Sequence, residues 1–150
     1  MKVIFLDVDG VLNNWDTTVF TAKGFQFVED EKIALLKSII NATDAKIVLS
    51  SDWRYDRNSS DDSDFVELRD KLSLFNISFF DFTPEITWND RGKEIQAWLD
   101  SHPDVTDFVI IDDRDDMQPN MDHLVQTVLK DGLTEELAAK AIKMLNGEVI

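Results

Sequence analysis

The chain has 150 residues and no cysteine, and its 15 basic and 30 acidic side chains give a formal net charge of -15. That length suits one domain with one core and needs no disulfide or structural metal, while the lack of thiols excludes a disulfide scaffold, a thiolate zinc site and a cysteine nucleophile. The acidic balance excludes tight nonspecific binding to duplex nucleic acid, though not action on one phosphorylated end. Lys2 to Asp7 is a short apolar run ending in Asp-Val-Asp-Gly and reads as a buried strand entering a loop. Asp7 also stops that run before a signal-type apolar region forms, and no other run is long enough to span a bilayer, so a soluble cytoplasmic protein is expected. Asn13 to Gly24 has no sustained period and reads as a loop or flap. From Glu29 to Asn41 the apolar residues recur at helical spacing, behind acids in the first turn.

Lys46 to Ser50 predicts a second buried strand, followed by an acidic Ser/Asn loop over Asp56 to Asp64 in which Asp61, Asp62 and Asp64 read as a solvated helix start. Phe65, Leu68, Leu72 and Phe75 form a helical stripe, and Ile77 to Phe82 a third strand. Ile95, Trp98 and Leu99 mark a helix that starts near Asn89 or Asp90 and stops before Pro103. Phe108 to Asp112 is a fourth strand and Leu124 to Val128 a fifth. Thr134 caps a last helix carrying Leu137, Ala141, Ile142 and Leu145, which Gly147 ends. Strands alternate with helices throughout. The expected fold is therefore α/β: a single three-layer Rossmann-like domain with a mainly parallel five-stranded sheet.

In such a sheet, ligands bind at the carboxyl ends of the strands, near the point where strand order reverses. Asp7 and Asp9 follow the first strand, Ser50 and Ser51 the second, Asp112 and Asp113 the fourth. Carboxylates gathered there repel one another unless a cation lies between them, and an all-oxygen set suits Mg²⁺. Beside Mg²⁺ an Asp can attack phosphorus, and a second carboxylate can protonate the leaving oxygen and then activate water. A hydroxyl from Ser50 or Ser51 and a cation from Arg91 or Lys93 are available to hold the phosphoryl oxygens. Trp53 and Arg54 directly follow the second strand and are expected at the substrate rim.

Four segments, in order, resemble the motifs of the haloacid dehalogenase (HAD) superfamily: Asp7-Val8-Asp9-Gly10-Val11-Leu12, Ile47-Val48-Leu49-Ser50-Ser51, Arg91-Gly92-Lys93-Glu94-Ile95 and Ile110-Ile111-Asp112-Asp113. More narrowly, Ser50-Ser51-Asp52-Trp53-Arg54, the Arg-Gly-x-Glu-Ile-x-x-Trp-Leu stretch and Gly132-Leu133-Thr134 resemble the small HAD domains of Swiss army knife RNA-repair proteins. The resemblance implies Asp7 as nucleophile and Asp9 as general acid/base. It also implies Mg²⁺ on Asp7, the Asp9 carbonyl and Asp112, with Asp113 in support. Strand-end placement favours Ser50 as the motif hydroxyl, alignment on Trp53 favours Ser51, and Arg91 and Lys93 stay equivalent.

HAD enzymes often carry an inserted cap, but here the segments between motifs are consumed by elements the sheet needs. No cap is expected, and the cleft should be open. The expected activity is a Mg²⁺-dependent phosphatase with an aspartyl-phosphate intermediate, acting on a nucleic-acid or nucleotide terminal phosphate. A small-metabolite phosphatase and a non-catalytic binding module are the alternatives. A calcium loop is disfavoured because Phe5 would stand at its first ligand position. A receiver domain is disfavoured because the adjacent acidic pair comes late in the chain rather than after the first strand.

Overall fold

Val3, Ile4, Phe5 and Leu6 are all fully buried, so the strand that carries them is covered on both faces, as parallel sheets require. The computed structural model describes residues 1–58, 63–86 and 90–148. Strands β1 (Lys2–Leu6), β2 (Lys46–Leu49), β3 (Phe79–Phe82), β4 (Asp107–Asp112) and β5 (Leu124–Gln126) form one sheet in the order β3-β2-β1-β4-β5. Every neighbouring pair is parallel. The helices are α1 (Asp30–Thr43), α2 (Asp64–Ser73), α3 (Arg91–Asp100) and α4 (Glu135–Leu145). This is the expected α/β architecture, the fold of a single Rossmann-like domain.

Side-chain alternation distributes the helices. Ile4, Leu6, Ile47, Leu49, Val109 and Ile111 point to the face covered by α1, α2 and α4, where Leu36, Leu68 and Ala141 lie in the same core. Val3, Phe5, Val48 and Ile110 point the other way, against Ile95 and Trp98 of α3. Trp98 meets Phe5 edge-on, with ring centroids 5.4 Å apart. One helix alone covers that second face among the described residues, and its first turn overlooks the carboxyl end of the sheet.

Four of the strands are shorter than their sequence patterns, and β4 starts one residue earlier, at Asp107. Ile77 is buried but precedes β3, just after Asn76 with its positive φ of 58°. Val128 leaves β5 to make an antiparallel bridge with Gly132. The segment expected as an irregular flap contains a small antiparallel pairing, Phe20 with Gln26, closed by Thr21 N–H donating to the Phe25 carbonyl at 2.8 Å. A 3₁₀ turn over Asp52–Asp56, unforeseen from the sequence, follows β2 directly. Asp61, Asp62 and the Asn89 start for the third helix lie outside the described residues, and α3 begins at Arg91 with Asp90 as its cap. Among the described residues no inserted cap separates the motifs.

Gly92 fixes the place of α3. A Cβ there would stand 2.6 Å from the Gln118 carbonyl oxygen and 2.9 Å from that of Asp116. Both are backbone atoms, so neither can rotate aside. We expect Gly92→Ala to destabilise the protein by about 1–3 kcal/mol, the usual cost of overpacking, measured by denaturant unfolding. An unchanged unfolding midpoint would mean that the α3 contact with residues 116–118 is slack.

Candidate active site

The hydrogen-bond ladder continues one residue beyond the strand ends and delivers the functional side chains. Asp7 N–H donates to the Ile111 carbonyl at 3.0 Å, and Ser50 N–H to the Leu6 carbonyl at 2.8 Å. Continuing the register, in which Leu6 faces Leu49 and Ile111, sets Asp7 level with Ser50 and Asp112. By parity with Phe5, Val48 and Ile110, all three belong to the α3 face. At that position α3 supplies Arg91.

Arg91 Nη1 donates to Asp112 Oδ2 at 2.8 Å and lies 3.5 Å from Asp7 Oδ2. Its Nη2 is 3.5 Å from Asp52 Oδ1. The guanidinium is buried, as are both acids; Asp112 is 0% exposed. Asp112 also accepts the Arg114 N–H at 3.0 Å. Burial works against the charge on Arg91, but Asp7 and Asp112 more than offset it and its pKa rises above the ordinary value. Burial, then the Asp112 charge, lifts the Asp7 carboxyl well above the ordinary range, with Arg91 pulling back. Asp112 is raised as well, chiefly by burial.

Carboxylate oxygens of Asp7, Asp112 and Asp113 all lie within 4.8 Å of one another, in the one such acidic cluster found among the described residues. Three carboxylates against one guanidinium leave negative charge in excess, and hard oxygen donors at this spacing fit Mg²⁺. Gly10 makes room for Asp113: its φ is +80°, and a Cβ there would stand 2.8 Å from Asp113 Oδ2.

Asp9 stands apart from that cluster. Its carboxylate is exposed and accepts Asn13 Nδ2–H at 3.1 Å on one oxygen and the Trp53 indole N–H at 3.0 Å on the other. Asn13 is buried and also accepts the Gly10 N–H at 2.9 Å. Sequence reasoning passed over Asn13; its signal was an Asx-type residue closing the turn after Asp-x-Asp-Gly.

One expectation needs correction, and the structure separates the members of two open pairs. Arg54 is not at the rim: it is 0% exposed. Its guanidinium donates to the Thr83 carbonyl at 3.0 Å, the Ser51 carbonyl at 2.8 Å and Glu94 Oε1 at 2.9 Å. Glu94 Oε2 accepts the Ile86 N–H in turn. This buried pair ties the loop after β2 to α3. Lys93 is at the surface, with its ammonium 3.4 Å from Asp90 and its side chain 71% exposed. Two residues along a helix turn a side chain about 200°, so Arg91 and Lys93 cannot both face the cluster, and Arg91 does. Ser51 is committed to capping the 3₁₀ turn, its hydroxyl accepting the Trp53 N–H at 3.2 Å, whereas the buried Ser50 hydroxyl has no hydrogen-bond partner. Trp53 is half-buried and lines a groove beside Asp9, with its ring stacked on Phe27, just beyond the flap.

The family model for the HAD domain in Swiss Army Knife RNA repair proteins matches residues 3–138. The chain belongs to this HAD family. No curated protein matches the sequence well enough to count as a relative. HAD domains generally use Mg²⁺, and the family points to a hydrolase of phosphatase type in an RNA-repair setting. Within this HAD domain the Arg-Gly-x-Glu signature divides its labour: Arg91 faces the acids, Gly92 lets the helix approach, and Glu94 neutralises Arg54.

Removing one partner of a buried ion pair strands the other without compensation. Glu94→Ala is expected to cost about 3–5 kcal/mol, and replacing both Arg54 and Glu94 by Met to recover most of that loss. Chemical denaturation of the two variants checks this. Equal losses in both would mean that the pair acts through packing rather than charge.

Proposed function

We propose that this HAD domain is a Mg²⁺-dependent phosphomonoester hydrolase working through an aspartyl-phosphate on Asp7, with a nucleotide or nucleic-acid terminal phosphate as substrate. The observation that carries this reading is Asp7 itself, a buried carboxylate held between Arg91 and two further acids at the sheet's switch point. Asp7, Asp112, Asp113 and the main-chain oxygen of Asp9 are the groups to hold Mg²⁺. When bound, the ion supplies positive charge that keeps the acids ionised and offsets the charge of the incoming phosphate.

In the first step Asp7 Oδ attacks phosphorus and the bond to the leaving oxygen breaks, while the Asp9 proton passes to that oxygen. The products are an alcohol, an acyl phosphate on Asp7 and an Asp9 carboxylate. In the second step Asp9 takes a proton from water as the water oxygen attacks phosphorus, and the bond to Asp7 breaks. Inorganic phosphate leaves, and both acids return to their starting forms. Arg91 and the unpartnered Ser50 hydroxyl are the donors for the phosphoryl oxygens.

On the Asp9 side lies a groove of about 330 Å³ lined by Phe25, Gln26, Asp52, Trp53 and Asp56, among others. Phe25 is 60% exposed and offers a ring for a base to stack on. The acids beside it repel a second phosphate, which favours a mononucleotide or a chain end whose backbone turns away from the groove. The same acids favour the small-metabolite reading. Among the described residues no helix is long and apolar enough to cross a membrane; the reading assumes a cytoplasmic setting.

Asp7→Asn is expected to abolish turnover, and EDTA to inactivate the unaltered protein until Mg²⁺ is restored. The same substitution should raise the melting temperature of the metal-free protein. The folded-state pKa of Asp7 lies above its unfolded value, so its contribution to stability is full below the unfolded pKa and is lost as pH rises through the folded one. The amide avoids that loss, at roughly 2–4 °C for each kcal/mol recovered. Turnover that survives either EDTA or Asp7→Asn would sink the mechanism.

Substrate class is read from the groove. Phe25→Ala should lower kcat/KM for nucleoside monophosphates by about 1–3 kcal/mol, the worth of a base–aromatic stack, while p-nitrophenyl phosphate is much less affected. Equal effects on both substrates would move the small-metabolite reading ahead.

A further inference from the structure

Asp9 sits on a turn rather than in a strand, and its side chain is exposed, so packing alone does not select one rotamer. Proton transfer requires one of them. Two N–H groups from separate segments engage its two oxygens: Asn13 Nδ2, four residues on, at 3.1 Å, and the Trp53 indole, 44 residues on, at 3.0 Å. Trp53 is itself fixed on three sides. Its main-chain N–H donates to Ser51 Oγ at 3.2 Å. Its neighbour Arg54 is buried and bonded to the Ser51 carbonyl and to Glu94. Its ring stacks on Phe27, with centroids 6.3 Å apart and planes 30° from parallel.

We propose that Trp53 is the positioning residue of the acid–base step, its indole N–H holding the Asp9 carboxyl in the working rotamer while Phe27, whose own N–H donates to the Val19 carbonyl of the flap at 2.8 Å, holds the indole. The inference rests on the phosphatase reading, in which Asp9 is the acid, and adds to it the device that aims the acid. An indole N–H donates and never accepts. It therefore stays bonded whether or not Asp9 carries its proton, using the oxygen's remaining lone pair, and it cannot take that proton away. Asn13 contacts Asp9 through its amide NH₂, which donates and cannot accept, and the Gly10 N–H on its carbonyl oxygen holds it in that orientation. The Asp9 proton is thus left to the leaving oxygen in the first step and regained from water in the second. The flap reaches Asp9 through Phe27, bonded to Val19 of the flap, and then through this one ring.

Trp53→Phe keeps the ring against Phe27 and removes only the donor. An alkyl phosphate needs its leaving oxygen protonated, whereas p-nitrophenolate leaves with little help. A positioned acid contributes roughly 10²–10⁴-fold. The variant should therefore lose about 30-fold or more of kcat/KM on the alkyl phosphate and less than about 3-fold on p-nitrophenyl phosphate. In an Asp9→Asn background, Trp53→Phe should cost nothing further on the alkyl phosphate, because two residues that act as a unit are not additive.

A measurement that needs neither turnover nor a Trp53 variant is the indole N–H resonance. Asp9→Ala should shift the Trp53 signal well beyond those of Trp15, Trp88 and Trp98. Parallel losses on the two substrates, additivity with Asp9→Asn, or an unmoved Trp53 resonance would each overturn the positioning role. An unaltered protein inactive on both monoesters would instead overturn the phosphatase reading, and the positioning role with it.

Discussion

The bond between Arg91 and Asp112, 2.8 Å long with both side chains buried, is the constraint around which the rest of the structure is arranged. A parallel sheet brings its strand ends together at one edge, and here that edge carries Asp7, Asp112 and Asp113 in mutual reach. Without a positive partner, ionising such a set inside the protein is strongly disfavoured. One guanidinium satisfies part of that demand. The rest leaves the cluster able to hold a cation rather than closed as a self-contained ion pair.

Arg91 reaches those acids only because α3 arrives at the right height and rotation. Gly92 allows the first turn to touch the backbone of residues 116–118, and Asp90 caps it by accepting the Lys93 N–H at 3.1 Å. Trp98 anchors the helix against Phe5. Glu94, one turn beyond Arg91, reaches Arg54 and so fixes the loop that carries Ser50, Ser51 and Trp53. A run of ten helical residues thus aims a cation, seats itself on the sheet and ties down the neighbouring loop. A buried Arg–Glu pair is a weak source of net stability, so we read this one as setting geometry.

These relations explain which parts were legible in the sequence. Apolar runs ending in Asp or Ser announced the strands and their functional ends, because burial on both faces leaves no room for polar residues until the sheet edge is reached. Asp7, Asp9, Asp112 and Asp113 could be found that way. The choice between Arg91 and Lys93 could not, since it depends on how α3 is rotated about its axis, which the packing of Ile95 and Trp98 decides. The same holds for Ser50 against Ser51, where the sheet's alternation and an unforeseen 3₁₀ turn assign one hydroxyl to the α3 face and the other to a cap. Arg54 misled because a place directly after the second strand does not fix which way the side chain turns; its partner, Glu94, lies 40 residues away, and no local pattern links the two.

The net charge of -15 bears on how such a site meets a phosphate. Long-range attraction cannot bring the substrate in, because the surface repels it. On the phosphatase reading, recognition would therefore be local, from Arg91, from the positive end of α3 and from a cation held by the acids, all within the reach over which salt leaves charges effective. Selectivity follows from that limit. A substrate with one terminal phosphate meets the positive centre and little else, whereas each further phosphate must pass Asp52 or Asp56 on the groove wall. On the phosphatase reading proposed above, an acidic protein whose positive charge at the site is confined to Arg91 and a bound cation would discriminate by counting phosphates, and an aromatic ring such as Phe25 would add affinity that carries no charge.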